Sequence, residues 1–424
     1  MRVYLRTFGC RANQYDSEAI RAMVERAGGV VVSAPDDADV GIFNSCAVTT
    51  DAEADLRQSV RRAARANPRL ATIVTGCAAA LPASAAALAA LPTVADVVGG
   101  ADLTAVARAL GLGPDAARAV PHHQTGARAL LRIQDGCDEH CTFCATTLAR
   151  GANRSRSPDA LVDEATHLAR RHPEIVLTGV HIGAYGCDVG TSLGALVERL
   201  VGEVSDVRFR LSSLEATEVD ERLRALLRAD PRRLAPHLHA PLQSGSDRVL
   251  RRMGRHWYTA VRYADAVERV IDGRAAFGLG ADVIAGFPGE TEDDHEATLA
   301  LVERLPFTSL HVFPYSVRPG TAAERLPGRV HGETVARRAA ELRALGRAKA
   351  AAYEASRAGG QADVVIVGDG ARREGLTEDY ISVDLADPPL PRGTRFRAGL
   401  ARGEFGRLVA IGPSALLPRH SSPS

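Results

Sequence analysis

The sequence predicts an α/β chain in three parts: an open parallel α/β sheet at the N-terminus, a partial (β/α)6 barrel in the centre and a small β-barrel at the C-terminus. Three observations predict it. Short apolar runs alternate with helical stretches over about the first 110 residues. Six further strand–helix units follow a polar linker at 112–128. From about residue 360 the pattern becomes short strands separated by Gly, Pro and Asp, as in a closed barrel. A chain of 424 residues is long enough for two or three such units.

In the first part, "RVYLRTF" reads as a strand and residues 16–27 as a helix. "DVGIFN" (39–44) is a buried strand, "DAEADLRQSVRRAARA" a helix, and "ATIVTG" (71–76) and "VADVVG" (94–99) two more strands. Cys10, Cys46 and Cys77 each fall just past the C-terminal end of a strand. In an open parallel sheet those ends form the ligand crevice, so cysteines far apart in sequence are expected to meet there.

The central strands are read at 129–134, 174–178, 207–212, 236–242, 278–285 and 308–313. Barrels of this kind gather their functional loops at the C-terminal mouth of the strands. "DGCDEHCTFC", "TGVHIGAYG", "SSLEATEVD", "QSGSD" and "GFPGET" all fall there, after the first to fifth strands. "ADVVIVG", "YISVDLA", "TRFRAGLA" and "FGRLVAIG" then read as the strands of a small barrel of the oligonucleotide-binding kind, with "SSPS" a polar tail.

Composition narrows the class. Hydrophobic residues are 46% and charged residues 24%, as in soluble globular proteins. No uninterrupted run of 18 apolar residues predicts a membrane span, and the N-terminus reads as a strand rather than a signal peptide, so no membrane partner and a cytoplasmic location are expected. The net charge of +1 gives no global basic field. Two arginine-rich stretches stand out, one carrying Arg57, Arg61, Arg62, Arg65 and Arg69, the other spanning 329–357. A solvated helix face is the plain reading of each.

Seven cysteines, an odd number, argue against a disulfide framework and for metal or catalysis. Cys137, Cys141 and Cys144 have the spacing C-x3-C-x2-C. Thiolates favour zinc or iron–sulfur clusters. Zinc would have to recruit His140 to complete its tetrahedron. A 4Fe–4S cluster instead could take three cysteines and leave one iron open to an outside ligand.

"DGCDEHCTFC" resembles the signature of radical S-adenosylmethionine enzymes. "TFGCRANQYDSEAI", "NSCAVTTDAEADLRQ", "VTGC", "VLTGVHIGAYG", "RLSSLEATEVD", "LQSGSDRVLRRMGR", "ADVIAGFPGETEDD" and "LHVFPYSVRPGTAA" are similar to the methylthiotransferases that modify tRNA, most closely the branch acting on N6-threonylcarbamoyladenosine. The resemblance runs from residue 1 to about 412. "ATTLARG" departs from it, since the family more often has an apolar run with Pro and Tyr there.

The resemblance implies a methylthiotransferase domain at 1–112, a radical S-adenosylmethionine core at 125–355 and a TRAM-like RNA-binding barrel at 358–415. It implies two 4Fe–4S clusters, one on Cys137, Cys141 and Cys144 and an auxiliary one on Cys10, Cys46 and Cys77. S-adenosylmethionine would chelate the open iron of the first, and a methylthio group would replace hydrogen at C2 of the modified adenine next to the anticodon. Gly179, Ser213, Glu215, Ile284 and Gly286 are expected to bind the cofactor, and Arg154, Arg156, Gln243 and Ser244 to lie on the substrate side. Tyr380, Phe396 and Phe405 are candidates for stacking bases, the 329–357 stretch is a candidate for phosphate contacts, and Cys187 is a bystander. The implied partners are tRNA and an electron donor such as flavodoxin or ferredoxin. The alternatives keep the chemistry on an isopentenyl-adenosine tRNA or a ribosomal-protein aspartate, or make the chain a non-enzymatic iron–sulfur RNA-binding protein.

Overall fold

The computed structural model describes residues 1–47, 50–368, 374–386, 390–403 and 406–416. Its first part comprises β1 (Arg2–Thr7), α1 (Arg11–Arg26), β2 (Val30–Val32), β3 (Val40–Ser45), α2 (Thr50–Ala66), β4 (Ala71–Gly76), α3 (Pro82–Ala89), β5 (Val94–Gly99) and α4 (Leu103–Ala109). The strands form one sheet in the order β2-β1-β3-β4-β5, with every pairing parallel. Neighbouring residues of β3 and β4 face opposite ways and are both buried. Ile42 and Ile73 meet Ile20, Val24 and Val106 on one face, while Phe43 and Val74 meet Leu56, Val60 and Leu88 on the other. Burial on both faces is what a parallel sheet covered by helices requires. Helix α1 starts five residues earlier than the sequence predicts, because Cys10 occupies the N-cap place. The three-residue β2 is too short to carry a periodic signal.

The second part runs through β6 (Ala129–Arg132), β7 (Gln134–Asp135), α5 (Thr146–Arg150), β8 (Arg154–Ser155), α6 (Pro158–Ala169), β9 (Glu174–Thr178), α7 (Leu193–Glu203), β10 (Arg208–Leu211), α8 (Glu221–Ala229), β11 (His237–His239), α9 (Asp247–Arg252), α10 (Ala260–Ile271), β12 (Gly278–Ala285), α11 (Glu292–Arg304), β13 (Ser309–Pro314) and α12 (Gly332–Arg357). Two parallel three-stranded sheets, β6-β9-β10 and β11-β12-β13, join through the parallel bridges Phe209–Leu234 and Ser213–His239. The result is an open six-stranded half-barrel with strands in chain order. Period-2 alternation divides its faces. Ile175, Leu177, Phe209, Leu211, Leu279, Ala281 and Val283 pack against the outer helices. The opposite face carries Glu174, Arg208, Arg210, His237, His239 and Asp282.

The third part is a closed barrel of β14 (Gln361–Ile366), β15 (Glu374–Leu376), β16 (Ser382–Leu385), β17 (Arg395–Arg402) and β18 (Leu408–Leu416), ordered β14-β15-β16-β18-β17. The sequence predicts four strands here and misses β15, which has three residues. Buried arginines of the half-barrel dock it. Arg208 Nη1 donates to Asp363 O, and Arg210 donates to Thr377 O and Glu378 O, each at 3.0 Å. No helix among the described residues is long and apolar enough to cross a membrane.

One buried histidine gives the fold a pH dependence. His172 follows α6, and burial pulls its pKa down to about 4 from an ordinary 6.5. The unfolded chain therefore takes up a proton that the folded state refuses. Stability from this group is complete above about pH 6.5 and falls as the pH drops from there towards about 4. Thermal denaturation is expected to show a midpoint that declines through that window, with a shallower decline in His172→Gln.

Candidate active site

The first three cysteines come together because their strands are neighbours. Cys10 follows β1, Cys46 follows β3 and Cys77 follows β4, three adjacent strands of one sheet. The Cys10 thiol donates to Asn13 Oδ1 at 3.3 Å, and the Cys77 thiol lies 4.0 Å from the same oxygen. Asn13 Nδ2 donates to Asn44 Oδ1 and to Ser45 O, at 2.9 and 2.7 Å, which fixes α1 against the end of β3 beside Cys46. Gly9, at φ 102°, lets the Cys10 loop close on Cys46. A Cβ there would stand 2.7 Å from the Cys46 sulfur.

The second triad sits on the loop that leaves β7. Gly136, at φ 75°, allows its backbone to press on Ala152 O, where a Cβ would come within 1.9 Å. Cys137 N donates to Gly151 O at 3.0 Å, and Thr142 N to Met253 O at 2.8 Å, so both ends of the loop are held. Gln134 connects the mouth loops. Its Oε1 accepts from Val180 N and His181 N at 3.0 and 2.9 Å, and its Nε2 donates to Asn153 Oδ1 at 2.7 Å.

Three side chains approach the sulfurs. His181 Nδ1 lies 3.7 Å from Cys137 Sγ while its Nε2 meets Glu218 Oε1 at 2.8 Å. Arg255 Nη1 donates to Cys141 Sγ at 3.5 Å and its Nη2 to Glu215 Oε1. Arg150 Nε donates to Cys77 Sγ at 3.3 Å. Burial pushes the Cys77 thiol up to about 11 and the Cys141 thiol up to about 12, and the neighbouring guanidiniums pull the other way. These two thiolates form easily only with a further cationic partner such as iron.

A single zinc ion does not fit either triad. Two thiolates on one zinc are at most about 4.6 Å apart, twice the usual Zn–S bond. Among the described residues the one group of three possible ligand atoms within 4.8 Å of each other is His239, Asp282 and His311. Each cysteine triad is more open than that, as a multi-iron cluster needs, and His140 is an exposed neighbour. One Glu215 oxygen is buried with no hydrogen-bond partner, and burial raises the carboxyl pKa. That oxygen can accept from a further donor near Cys141.

The other expected site residues divide. Gly179 packs on Gln134, where a Cβ would stand 2.8 Å from Gln134 O. Ser213 is exposed at the strand mouth beside buried Glu215. Ile284 packs partly into the cluster of Val249, Met253 and Phe287, and Gly286 N donates to Glu290. Gln243, at φ 63°, bridges to Val283. Ser244 is buried with its hydroxyl 3.4 Å from Thr298, which takes it away from the substrate side. Arg156 is spent on Glu164, Tyr15 and Arg132 O at 2.7, 3.1 and 3.0 Å, and so holds α1 to the half-barrel instead of reaching for a ligand. Arg154 remains exposed. Cys187 is exposed.

One expectation about RNA contacts is corrected and another is narrowed. Tyr380 is held by Arg11, whose Nη2 donates to its hydroxyl at 2.6 Å, and packs at a tilt against His237, while Phe396 lies in the core of the C-terminal barrel. Neither offers a face to a base, and Phe405 lies outside the described residues. In α12, Arg337 and Arg338 pair with Glu292, Arg357 pairs with Asp379, and Arg343 and Lys349 donate to backbone oxygens. Within 329–357 Arg338 and Arg357 are buried braces, whereas Arg329, Arg337, Arg343 and Arg347 keep exposed surface.

A half-barrel with a three-cysteine loop after its first strand is the arrangement of a radical S-adenosylmethionine enzyme, and residues 131–302 match the model of the Radical SAM superfamily. The fold agrees with the radical S-adenosylmethionine methyltransferase TsrM from Kitasatospora setae, at TM-score 0.56 and 14% identity over 76% of this chain and 77% of that one. Residues 2–100 match the Uncharacterized protein family UPF0004. The threonylcarbamoyladenosine tRNA methylthiotransferase of Aquifex aeolicus is 32% identical over 90% of this chain and 96% of its own length. The enzyme of that name from Bacillus subtilis is 38% identical over 77% of this chain and 76% of its own. The chain belongs to the radical S-adenosylmethionine tRNA methylthiotransferase family.

Proposed function

We propose that the chain inserts a methylthio group at C2 of N6-threonylcarbamoyladenosine next to the anticodon of tRNA. The observation that carries this reading is the pair of open cysteine triads at the ends of two sheets, in a chain that matches threonylcarbamoyladenosine methylthiotransferases along most of its length. When bound, two 4Fe–4S clusters and S-adenosylmethionine supply homolytic cleavage of a sulfonium bond, hydrogen abstraction from the base and the sulfur that replaces the hydrogen. Cys137, Cys141 and Cys144 are the proposed holders of one cluster, and Cys10, Cys46 and Cys77 of the other.

The protein's own part is positioning. Glu215, with one oxygen fixed by Arg255 and the other unpartnered, suits a ribose hydroxyl. Exposed Arg61, Arg62, Arg65 and Arg69 on and just beyond α2 suit phosphates. In this reading 1–112 and 125–355 share the chemistry and 358–415 helps hold the RNA. A low-potential one-electron donor of the flavodoxin or ferredoxin class and a cytoplasmic location complete it.

Mass spectrometry of tRNA nucleosides from a deletion strain tests the substrate. The expected result is loss of the methylthio group from threonylcarbamoyladenosine, restored by the gene. Loss from isopentenyl-adenosine instead, or an unchanged nucleoside profile, would overturn the assignment.

A further inference from the structure

Arg150 links the two triads. It ends α5, the short helix that begins just after Cys144, yet α5 packs into the core of the N-terminal sheet. Ala145 and Ala149 share that core with Cys77, Ala78 and Ala79. The side chain of Arg150 is almost wholly buried, at 1% exposure. All three of its nitrogens are used. Nε donates to Cys77 Sγ at 3.3 Å. Nη1 donates to Asp135 Oδ1 at 3.0 Å, next to the Gly136–Cys137 turn. Nη2 donates to Asp16 Oδ2 at 2.7 Å and to Asn13 Oδ1 at 3.4 Å, the oxygen that also receives the Cys10 thiol. The residue after it, Gly151, accepts the backbone N–H of Cys137. One guanidinium therefore ties a ligand of one triad to the loop that carries the other.

We propose that Arg150 is a positioning residue that locks the two cluster loops together and raises the reduction potential of the cluster on Cys10, Cys46 and Cys77. This rests on the reading that those cysteines hold a 4Fe–4S cluster. An N–H donor and a positive charge at a ligating sulfur stabilise the more negative, reduced state of a cluster. The guanidinium spreads its donors over three nitrogens of one rigid plane, a reach that the single nitrogen of an ammonium does not have. Arg255 is the counterpart for the other cluster. It is 5% exposed, donates to Cys141 Sγ and is held by Glu215.

The test is a redox titration, followed by electron paramagnetic resonance, of the anaerobically reconstituted full chain. The two signals are assigned with Cys77→Ala and Cys141→Ala. In Arg150→Gln the auxiliary midpoint is expected to fall and the radical-cluster midpoint to stay. Arg150→Lys, which keeps the charge, should fall less. Arg255→Lys should move only the radical cluster. Magnetic coupling between the two reduced clusters should change in the Arg150 variants alone. If Arg150→Gln fails to load iron, Arg150→Lys carries the comparison. An unmoved auxiliary midpoint in an iron-replete Arg150 variant, or equal shifts of both clusters, overturns the proposal. A wild-type protein with a single cluster signal overturns the two-cluster reading instead.

Discussion

Cys77→Ala is expected to leave reductive cleavage of S-adenosylmethionine in place and to abolish methylthio transfer, whereas Cys141→Ala abolishes both. The asymmetry follows from where the cysteines sit. Cys141 lies at the half-barrel mouth, bonded to the guanidinium that holds Glu215, among the groups proposed to receive the cofactor. Cys77 lies at the end of β4, in the core of the N-terminal sheet. Its removal takes away a proposed sulfur ligand and one of the acceptors of Arg150, while the Cys137–Cys144 loop stays held by Gly151, by Met253 and by the Arg150–Asp135 pair. The checks are 5′-deoxyadenosine released and methylthiolated nucleoside formed, measured in the same reaction. Cys187→Ala should change neither. Loss of cleavage in Cys77→Ala, in protein that retains one cluster, would contradict the division of roles.

Glu174→Ala should destabilise the fold by about 3–5 kcal/mol, the usual result of stripping one partner from a buried ion cluster. Glu174 is fully buried on β9. Burial alone would raise its pKa, but Arg210 and Arg208 hold it well below the usual carboxylate range. It accepts from Arg208 Nε at 2.6 Å, from Arg210 Nε at 2.8 Å and from Arg128 Nη1 at 3.2 Å. Truncation would strip Arg210, which has no exposed side-chain surface, of the carboxylate it meets, and leave the equally buried Arg208 to Asp363. The same two arginines dock the C-terminal barrel through Asp363 O and Thr377 O, so that barrel should loosen first. Urea denaturation measures the loss, and limited proteolysis reports where it begins. Glu174→Gln, which keeps the shape and loses the charge, should fall between the two.

What the sequence made legible here was periodic or chemically rare. The strands of the half-barrel are apolar runs at regular spacing, and β12 has the predicted bounds. Cysteines are few, and three of them at successive strand ends have no other simple explanation. The elements that escaped were short. β2, β7, β8 and β15 have two or three residues and depend on a neighbouring strand rather than on a pattern of their own. Arg150, Arg255, Asn13 and Gln134 escaped for a different reason. In a chain whose cations are nearly all arginine, nothing local marks the two guanidiniums that meet sulfur. Arg156 shows the converse. It stands close to the cluster loop in sequence, and the fold turns it inward onto Tyr15 and Glu164. Tyr380 was misread because a surface aromatic on a small barrel and an aromatic wedged between domains have the same sequence appearance.

The central claim is that each triad holds its own open 4Fe–4S cluster. Iron and acid-labile sulfide should be counted in the full chain, purified and reconstituted without oxygen. The account predicts about eight irons and about eight sulfides per chain, falling to about four of each when either triad is replaced by alanine. About four in the intact chain, or zinc in place of iron, would contradict it.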